Sequence, residues 1–353
     1  GGFTTVCAMP NTEPPIDSAA AVEFVLRTAE VQGHVRVLPI PCVTRGRAGK
    51  ELAELAELAA AGAVAFSDDG APVADAHLMR RALEYAGMLT LPIIDHCQDP
   101  ALSAGGVMHE GWVSARLGLR GVPAAAEEAI VARDIALAQE TDAHVHIAHI
   151  STAGAVELVR QAKARGVPVT AEVTPHHLAL THEAVLLGPS ESPGPPAYDT
   201  NAKVNPPLRT QADAGACLAG LLDGTIDCIA TDHAPHAIQD KLCEFDLAAF
   251  GISGLETAFA LALSVAPLEL VIQRLTIAPV CALGLNRRPD ARLPGLGTLS
   301  PGAPADVILI DPEAEWTVEP QSLASKGKNT PLAGRTLKGR VVTTLYGGRS
   351  PIA

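Results

Sequence analysis

Along this chain a short apolar run, a polar loop and a stretch with apolar residues at helical spacing recur as one unit. Residues 2–9 hold the β-favouring Phe3, Thr4, Thr5, Val6 and Cys7 and end in the turn-rich Pro10-Asn11-Thr12-Glu13-Pro14. Ser18 is placed to cap a helix running through Val22, Phe24 and Val25 to about residue 31. Further strands are predicted at 35–40, 64–66, 89–94, 144–150, 167–173 and 226–230. Helical spacing predicts helices at 50–61, 76–87, 124–141, 153–165, 211–223, 254–264 and 268–283. Seven strand–loop–helix units in a row predict a parallel sheet with helical crossovers.

The polar residues are not spread evenly. Each predicted strand is apolar in its middle and carries polar or titratable residues at its C-terminal end. That is the pattern of a (β/α)8, TIM-type barrel, whose chemistry sits on the loops after its strands. The run 226–230 breaks into Thr231-Asp232-His233-Ala234-Pro235-His236, and Pro235 cannot continue a ladder. Asp232 is therefore expected where a buried strand opens onto a surface, as both a metal ligand and a proton shuttle. There are seven units rather than eight, and the chain starts at Gly1-Gly2-Phe3, without methionine and directly in a strand. Missing N-terminal sequence, including the first barrel strand, is the expectation. After Asn286 the texture changes to short strands and tight turns around 295–297, 302–311 and 341–346. A hydrolase-type barrel over 1–286 and a small β domain over 287–353 are expected. The proline-rich 188–201 reads as a loop, a surface insertion rather than a lid over substrate.

Composition narrows the function. With 26 basic and 39 acidic residues the net charge is −13, which argues against general nucleic-acid binding. The seven cysteines form no CxxC pair, and their odd number does not suggest a disulfide scaffold, so a reduced, cytoplasmic protein is expected. No signal peptide and no apolar run long enough for a membrane span is visible.

The strand ends supply the candidate chemistry: Asp69, His96, His149 and Asp232. Two imidazoles and two carboxylates at converging tips suit zinc, which lowers the pKa of bound water from about 15.7 to roughly 7. Each residue alone has a plainer reading. Asp68 and Asp69 before Gly70 are common turn residues, and a lone His96 is more often a buried, satisfied histidine. His144 and His146 share a strand face and form a tempting pair, but they lie earlier in the strand, so His149 is preferred. His176 and His177 read as supporting or structural, His34, His77, His109 and His182 as surface or packing residues, and the cysteines as core filler.

Several segments together resemble the bacterial class I dihydroorotases of the amidohydrolase superfamily. They are Phe66-Ser67-Asp68-Asp69-Gly70, His146-Ile147-Ala148-His149-Ile150-Ser151-Thr152 and Thr170-Ala171-Glu172-Val173-Thr174-Pro175-His176-His177. Val204-Asn205-Pro206-Pro207-Leu208-Arg209, 229–236 and Ser325-Lys326-Gly327-Lys328-Asn329-Thr330-Pro331 complete the set, and the likeness covers essentially the whole chain. The resemblance implies two zinc ions bridged by Asp69, with His96 and His149 on the second and Asp232 on the first, where it acts as general base and then acid. It implies substrate contacts from Asn11, Asn205, His236 and the Phe250-Gly251 backbone. The implied reaction is the reversible cyclisation of N-carbamoyl-L-aspartate to (S)-dihydroorotate in pyrimidine synthesis. A homo-oligomer and a complex with aspartate carbamoyltransferase are also implied. The family's first strand carries an HxHxxxR motif that this stretch lacks. The first metal should therefore be held poorly, and the 353 residues alone should be inactive with an open barrel edge.

Two alternatives remain at this stage. Cyclic amidases of the dihydropyrimidinase or allantoinase type bridge their metals with a carbamylated lysine, and no lysine lies between Lys50 and Lys163. A non-catalytic dihydroorotase-like scaffold would be expected to lose its ligands, and those downstream of Gly1 are present.

Overall fold

In the computed structural model, which describes residues 1–187, 197–287 and 295–350, short parallel strands alternate with helices from the first residues onward. The first half runs β1 (Thr5–Ala8), α1 (Ala19–Gln32), β2 (Arg36–Pro39), α2 (Leu55–Ala61), β3 (Phe66–Ser67), α3 (Ala76–Met88) and β4 (Ile93–Asp95). An excursion follows, with β5 (Met108–His109), α4 (Trp112–Leu117) and β6 (Gly121–Val122). The alternation then resumes with α5 (Ala125–Thr141), β7 (Val145–Ile147), α6 (Ala153–Ala164), β8 (Val169–Val173) and the short α7 (Pro175–Ala179). A small hairpin, β9 (Leu186–Leu187) and β10 (Ala197–Tyr198), precedes α8 (Gln211–Asp223) and β11 (Cys228–Ile229). The chain closes with α9 (Ala258–Leu263), α10 (Leu268–Leu275), α11 (Ile277–Ala282) and the antiparallel pair β12 (Val307–Thr317) and β13 (Thr336–Leu345).

Strands β3, β4, β7, β8 and β11 lie side by side in chain order as one parallel sheet. Strands β1 and β2 pair in parallel beside it. Backbone bonds from Val64 N–H to Pro39 O (3.1 Å) and Ser67 N–H to Pro41 O (3.0 Å) carry the sheet direction from β2 to β3. The class is α/β with a parallel sheet, as the repeated unit predicts.

Both faces of the sheet are buried, which is why its strands read as apolar runs. Ile93, Val145, Ile147, Val169, Ala171 and Val173 pack with helix residues such as Val131, Ile135, Val156, Val159 and Leu221. Ile94 and Ala148 face the other way, with Leu38, Ile40 and Val64. Each such fully buried aliphatic side chain contributes about 1.5–3 kcal/mol.

Several expectations change, among them the helix expected over 254–264, which starts only at Ala258. The helix expected over 50–61 starts only at Leu55, because Ala53 N–H bonds to Val43 O and Leu52 bridges to Thr44. The helix expected over 268–283 is two, broken at Thr276, whose φ of −120° and ψ of −89° are non-helical. Pro279 explains the break: its ring clashes with the carbonyl four residues back, at Leu275, the last residue of α10. Of the predicted loop at 188–201, residues 188–196 lie outside the described residues, and its described end pairs as β10 with β9.

Of the predicted C-terminal strands, those around 302–311 and 341–346 are observed as β12 and β13, which run on to Thr317 and start back at Thr336, while 295–297 is a turn. Val318, Leu332 and Leu337 share a core cluster with Ile252 and Leu261, so this segment packs against the parallel-sheet region. All seven cysteines are free. No helix among the described residues is long and apolar enough to cross a membrane.

A buried ion pair ties the loops beyond the strands together. Glu127 of α5 accepts from Ser151 N–H (2.8 Å), Thr152 N–H (3.1 Å) and the Ser151 hydroxyl. Arg209 Nη2 lies 3.7 Å from the Glu127 carboxylate, and Arg209 Nη1 donates to Val122 O at 2.8 Å. Replacing Glu127 with alanine should cost about 3–5 kcal/mol in urea unfolding, because it strands Arg209 as an unpaired buried charge. A loss within measurement error would show that solvent reaches the pair.

Candidate metal centre

In a parallel sheet all C-terminal strand ends lie on one rim. Asp69 follows β3 by two residues, His96 follows β4 directly, and His149 follows β7 by two. Since β3, β4 and β7 are sheet neighbours, their three side chains are brought together. Their ligand atoms lie within 4.8 Å of one another. His96 Nδ1 is 3.0 Å from His149 Nε2, and His149 Nε2 is 3.7 Å from Asp69 Oδ1. Asp232 follows β11, with β8 standing between that strand and β7, and it lies outside this tight trio.

The electrostatics show how closely these groups couple. Burial alone would lower the His149 pKa, but pairing with Asp69 and the charges of Asp232 and Asp69 raise it to about 9. Burial and the neighbouring His149 charge push His96 down to about 4. Burial would raise Asp69, yet His149 and His96 hold it below its ordinary value. Burial, opposed by His149 and reinforced by Asp69 and Glu172, raises Asp232 to about 6. His149 thus holds a proton among anionic and neutral donors, where a divalent cation would fit in its place. The buried His149 Nδ1 has no hydrogen-bond partner.

Backbone strain marks the same rim. His149 has φ of 33° and Asp232 φ of 44°, left-handed values that side chains rarely adopt. Such conformations cost on the order of 1–3 kcal/mol each and persist where the surroundings over-determine them.

The residues behind the trio include some that sequence reasoning passed over. His96 Nε2 is held by Gln98 Oε1 (3.0 Å), and Asn205 Nδ2 lies 3.1 Å from it. Asn11 Nδ2 donates to Asp69 Oδ2 at 3.2 Å, so in this state Asn11 supports the carboxylate. Arg47 donates to the backbone oxygens of Asp68 (3.3 Å) and Asp69 (2.6 Å). Asp68 itself is buried and accepts from Val43 N–H, Thr44 N–H and the Thr44 hydroxyl, so it anchors the loop that presents Asp69. No local pattern around Arg47 or Gln98 singled them out. Arg47→Ala should weaken divalent-cation binding by about 10–100-fold, as loss of an outer support typically does. Competition with a chromogenic chelator measures it, and unchanged affinity would remove Arg47 from that role.

The candidates His236, Phe250 and Gly251 contact one another or share Asn329. His236 Nε2 contacts Phe250 O at 2.7 Å, and its N–H donates to Asn329 Oδ1 at 2.8 Å. Asn329 Nδ2 also reaches Ala234 O (3.0 Å) and Gly251 O (2.9 Å), which gives a concrete role to part of 325–331. Gly251 has φ of 138°, and a Cβ there would sit 2.5 Å from the Ala234 methyl, so glycine is required. Gly251 N–H bonds to Lys203 O at 2.9 Å, so the chain's own groups engage both polar atoms of this residue. His177 is tied to Thr174 and to Pro206 O. His176 is buried with Nε2 unpartnered.

Comparison with known proteins gives the family. Residues 1–155 match the family model described as dihydro-orotase-like. The chain is 54% identical to a dihydroorotase from Pelotomaculum thermopropionicum, over 99% of this chain and 78% of that protein. It is 52% identical to a dihydroorotase from an Anaeromyxobacter species, with the same coverage. Among solved structures it is similar to the L-hydantoinase (dihydropyrimidinase) of Arthrobacter aurescens, with a TM-score of 0.81 at 22% identity, covering 99% of this chain and 77% of that one. The D-hydantoinase of a Thermus species gives a TM-score of 0.80, also at 22% identity and the same coverage. The low identity to the hydantoinases carries the fold alone, whereas identity above one half carries the family: this chain belongs to the dihydroorotases.

Proposed function

We propose that this chain is the hydrolytic part of a metal-dependent dihydroorotase, which interconverts N-carbamoyl-L-aspartate and (S)-dihydroorotate. The observation that carries the reading is the meeting of Asp69, His96 and His149 at one rim of the sheet. The proposed architecture is a (β/α)8 barrel over 1–286 with a small β domain over 287–353. Cytoplasmic residence and a homo-oligomer belong to the same reading.

Asp69, His96 and His149 would hold a zinc-like cation, which when bound polarises a carbonyl and activates water. His96 is fixed for this task by Gln98 and Asn205, and Asp69 by Asn11. Asp232 accepts a proton from the attacking water and delivers it to the ring nitrogen as the amide bond breaks. An amide nitrogen leaves poorly unless protonated, so this delivery decides the rate. Asn11, Asn205 and His236 would grip the substrate's carboxylate and ring. The Phe250–Gly251 backbone would meet the ring only after sharing its bonds to His236 and Asn329.

The experiment is a substrate panel, run with the chain as it stands and with an HxHxxxR-bearing segment joined ahead of Gly1. The extended chain should open dihydroorotate and leave hydantoin and allantoin untouched. Turnover of hydantoin without dihydroorotate would overturn the substrate assignment. An extended chain inert on all three, yet binding a carbamoyltransferase, would favour the scaffold reading.

A further inference from the structure

The interior face of the sheet holds a second set of donors, one level below the rim. A barrel interior is ordinarily filled with branched apolar side chains. Here His146 of β7, Thr170 and Glu172 of β8 and Cys228 of β11 occupy it instead. His146 pairs in register with Thr170, and Glu172 with Cys228. The ligand atoms of His146, Glu172 and Cys228 lie within 4.8 Å of one another.

His146 is the telling member, because it is fully buried, at 0% exposure. Its Nδ1 lies 2.8 Å from the Thr170 hydroxyl, which also reaches His144 Nε2 at 2.7 Å. If Nδ1–H donates to Thr170, the hydroxyl proton goes to His144, and Nε2 keeps a free lone pair. That is the arrangement of a metal-ligating histidine, whose other nitrogen donates to a neighbour. Nε2 is 3.2 Å from Glu172 Oε2, yet at an angle that makes no hydrogen bond, and it has no other partner. A buried nitrogen left this way is costly unless something occupies its direction.

We infer that His146, Glu172 and Cys228 form a second cation site inside the sheet, suited to zinc or a similar thiol-binding divalent ion and separate from the rim trio. The donor set is one nitrogen, one oxygen and one sulfur, the mixture zinc accepts in tetrahedral sites. Tetrahedral bonds of zinc length put donors roughly 3.5 Å apart, so the present spacing needs only small side-chain rotations. Burial, then the Glu172 charge, raises the Cys228 thiol well above its ordinary value, so the thiol is protonated without a cation. Binding then exchanges that proton for the metal–sulfur bond and releases it to solvent. With neutral His146, the thiolate and the carboxylate cancel the charge of a divalent ion. His146 precedes His149 by three residues, about 10 Å along a strand, so the two sites do not share ligands. Glu172 keeps 20% of its side chain exposed. Its charge also reaches Cys7, which lines a cavity of about 480 Å³ with Thr5 and Leu38.

The test is titration of the chelator-stripped chain with Co²⁺, followed by absorption. Thiolate-to-cobalt charge transfer gives a near-ultraviolet band that the oxygen and nitrogen donors of the rim cannot produce. The band should appear, persist in Asp69→Asn and vanish in Cys228→Ser. Glu172→Gln, which keeps the side-chain shape, should weaken Co²⁺ at this band by about tenfold or more. Zn²⁺ should displace the cobalt and bleach the band. No band in the unaltered chain would overturn the site without recourse to any variant. A band surviving Cys228→Ser would overturn it too, pointing to another thiol such as Cys97, which sits with Asp95 and Asp134.

Discussion

Asp69→Asn is expected to strip the rim of its cation. The change keeps the shape and removes one negative charge from three converging donors. His149, now held at about 9 with Asp69 among its causes, loses its nearest counter-charge. The focus is left with two imidazole nitrogens 3.0 Å apart and a neutral oxygen. Loss of an outer support typically costs 10–100-fold in metal affinity, and loss of a direct anionic ligand should cost more, on the order of 10³-fold. Bound divalent cation counted after dialysis should fall by the one rim equivalent while the interior site keeps its own, with far-ultraviolet dichroism unchanged. The extended chain should lose its turnover in parallel. Zinc held as tightly as before would mean that the ligands lie elsewhere.

Asp232→Asn should separate chemistry from binding. The amide fills the same space and cannot accept a proton. Asp232 lies outside the tight trio, so a divalent cation held by Asp69, His96 and His149 should stay. The turnover number of the extended chain should fall by about 10²–10⁴-fold, the usual worth of a positioned acid–base group. KM should change little, since the lost step belongs to the transition state. An unchanged turnover number would take Asp232 out of proton transfer.

The repeating unit was legible because its periods are local. The buried strands read as apolar runs, since both sheet faces pack. Helix α8 matches its expected bounds because Thr210 and Asp213 form a reciprocal cap within the segment itself. The helix at 50–61 was overread because Leu52 and Ala53 pair with residues eight to ten positions earlier, which helical spacing does not register. The break at Thr276 was legible in principle, since Pro279 stands in the sequence, but the apolar spacing runs on unbroken past it.

Asp69, His96, His149 and Asp232 could be named from the sequence because each ends an apolar run with a donor, and the motifs around them tied them to a family. That they share a rim follows only from parallel pairing of β3, β4, β7 and β11 in one sheet. Which of them come within reach of one ion was decided by strand order, which inserts β8 before Asp232. Arg47 and Asn329 act through contacts between distant segments, 21 positions apart for Arg47 with Asp68 and 93 for Asn329 with His236, whereas Gln98 acts on His96 only two residues away. Local pattern records what each residue is and which way its segment repeats. Distances between such side chains, and the burial that shifts their protons, exist only once the sheet has brought its strands together.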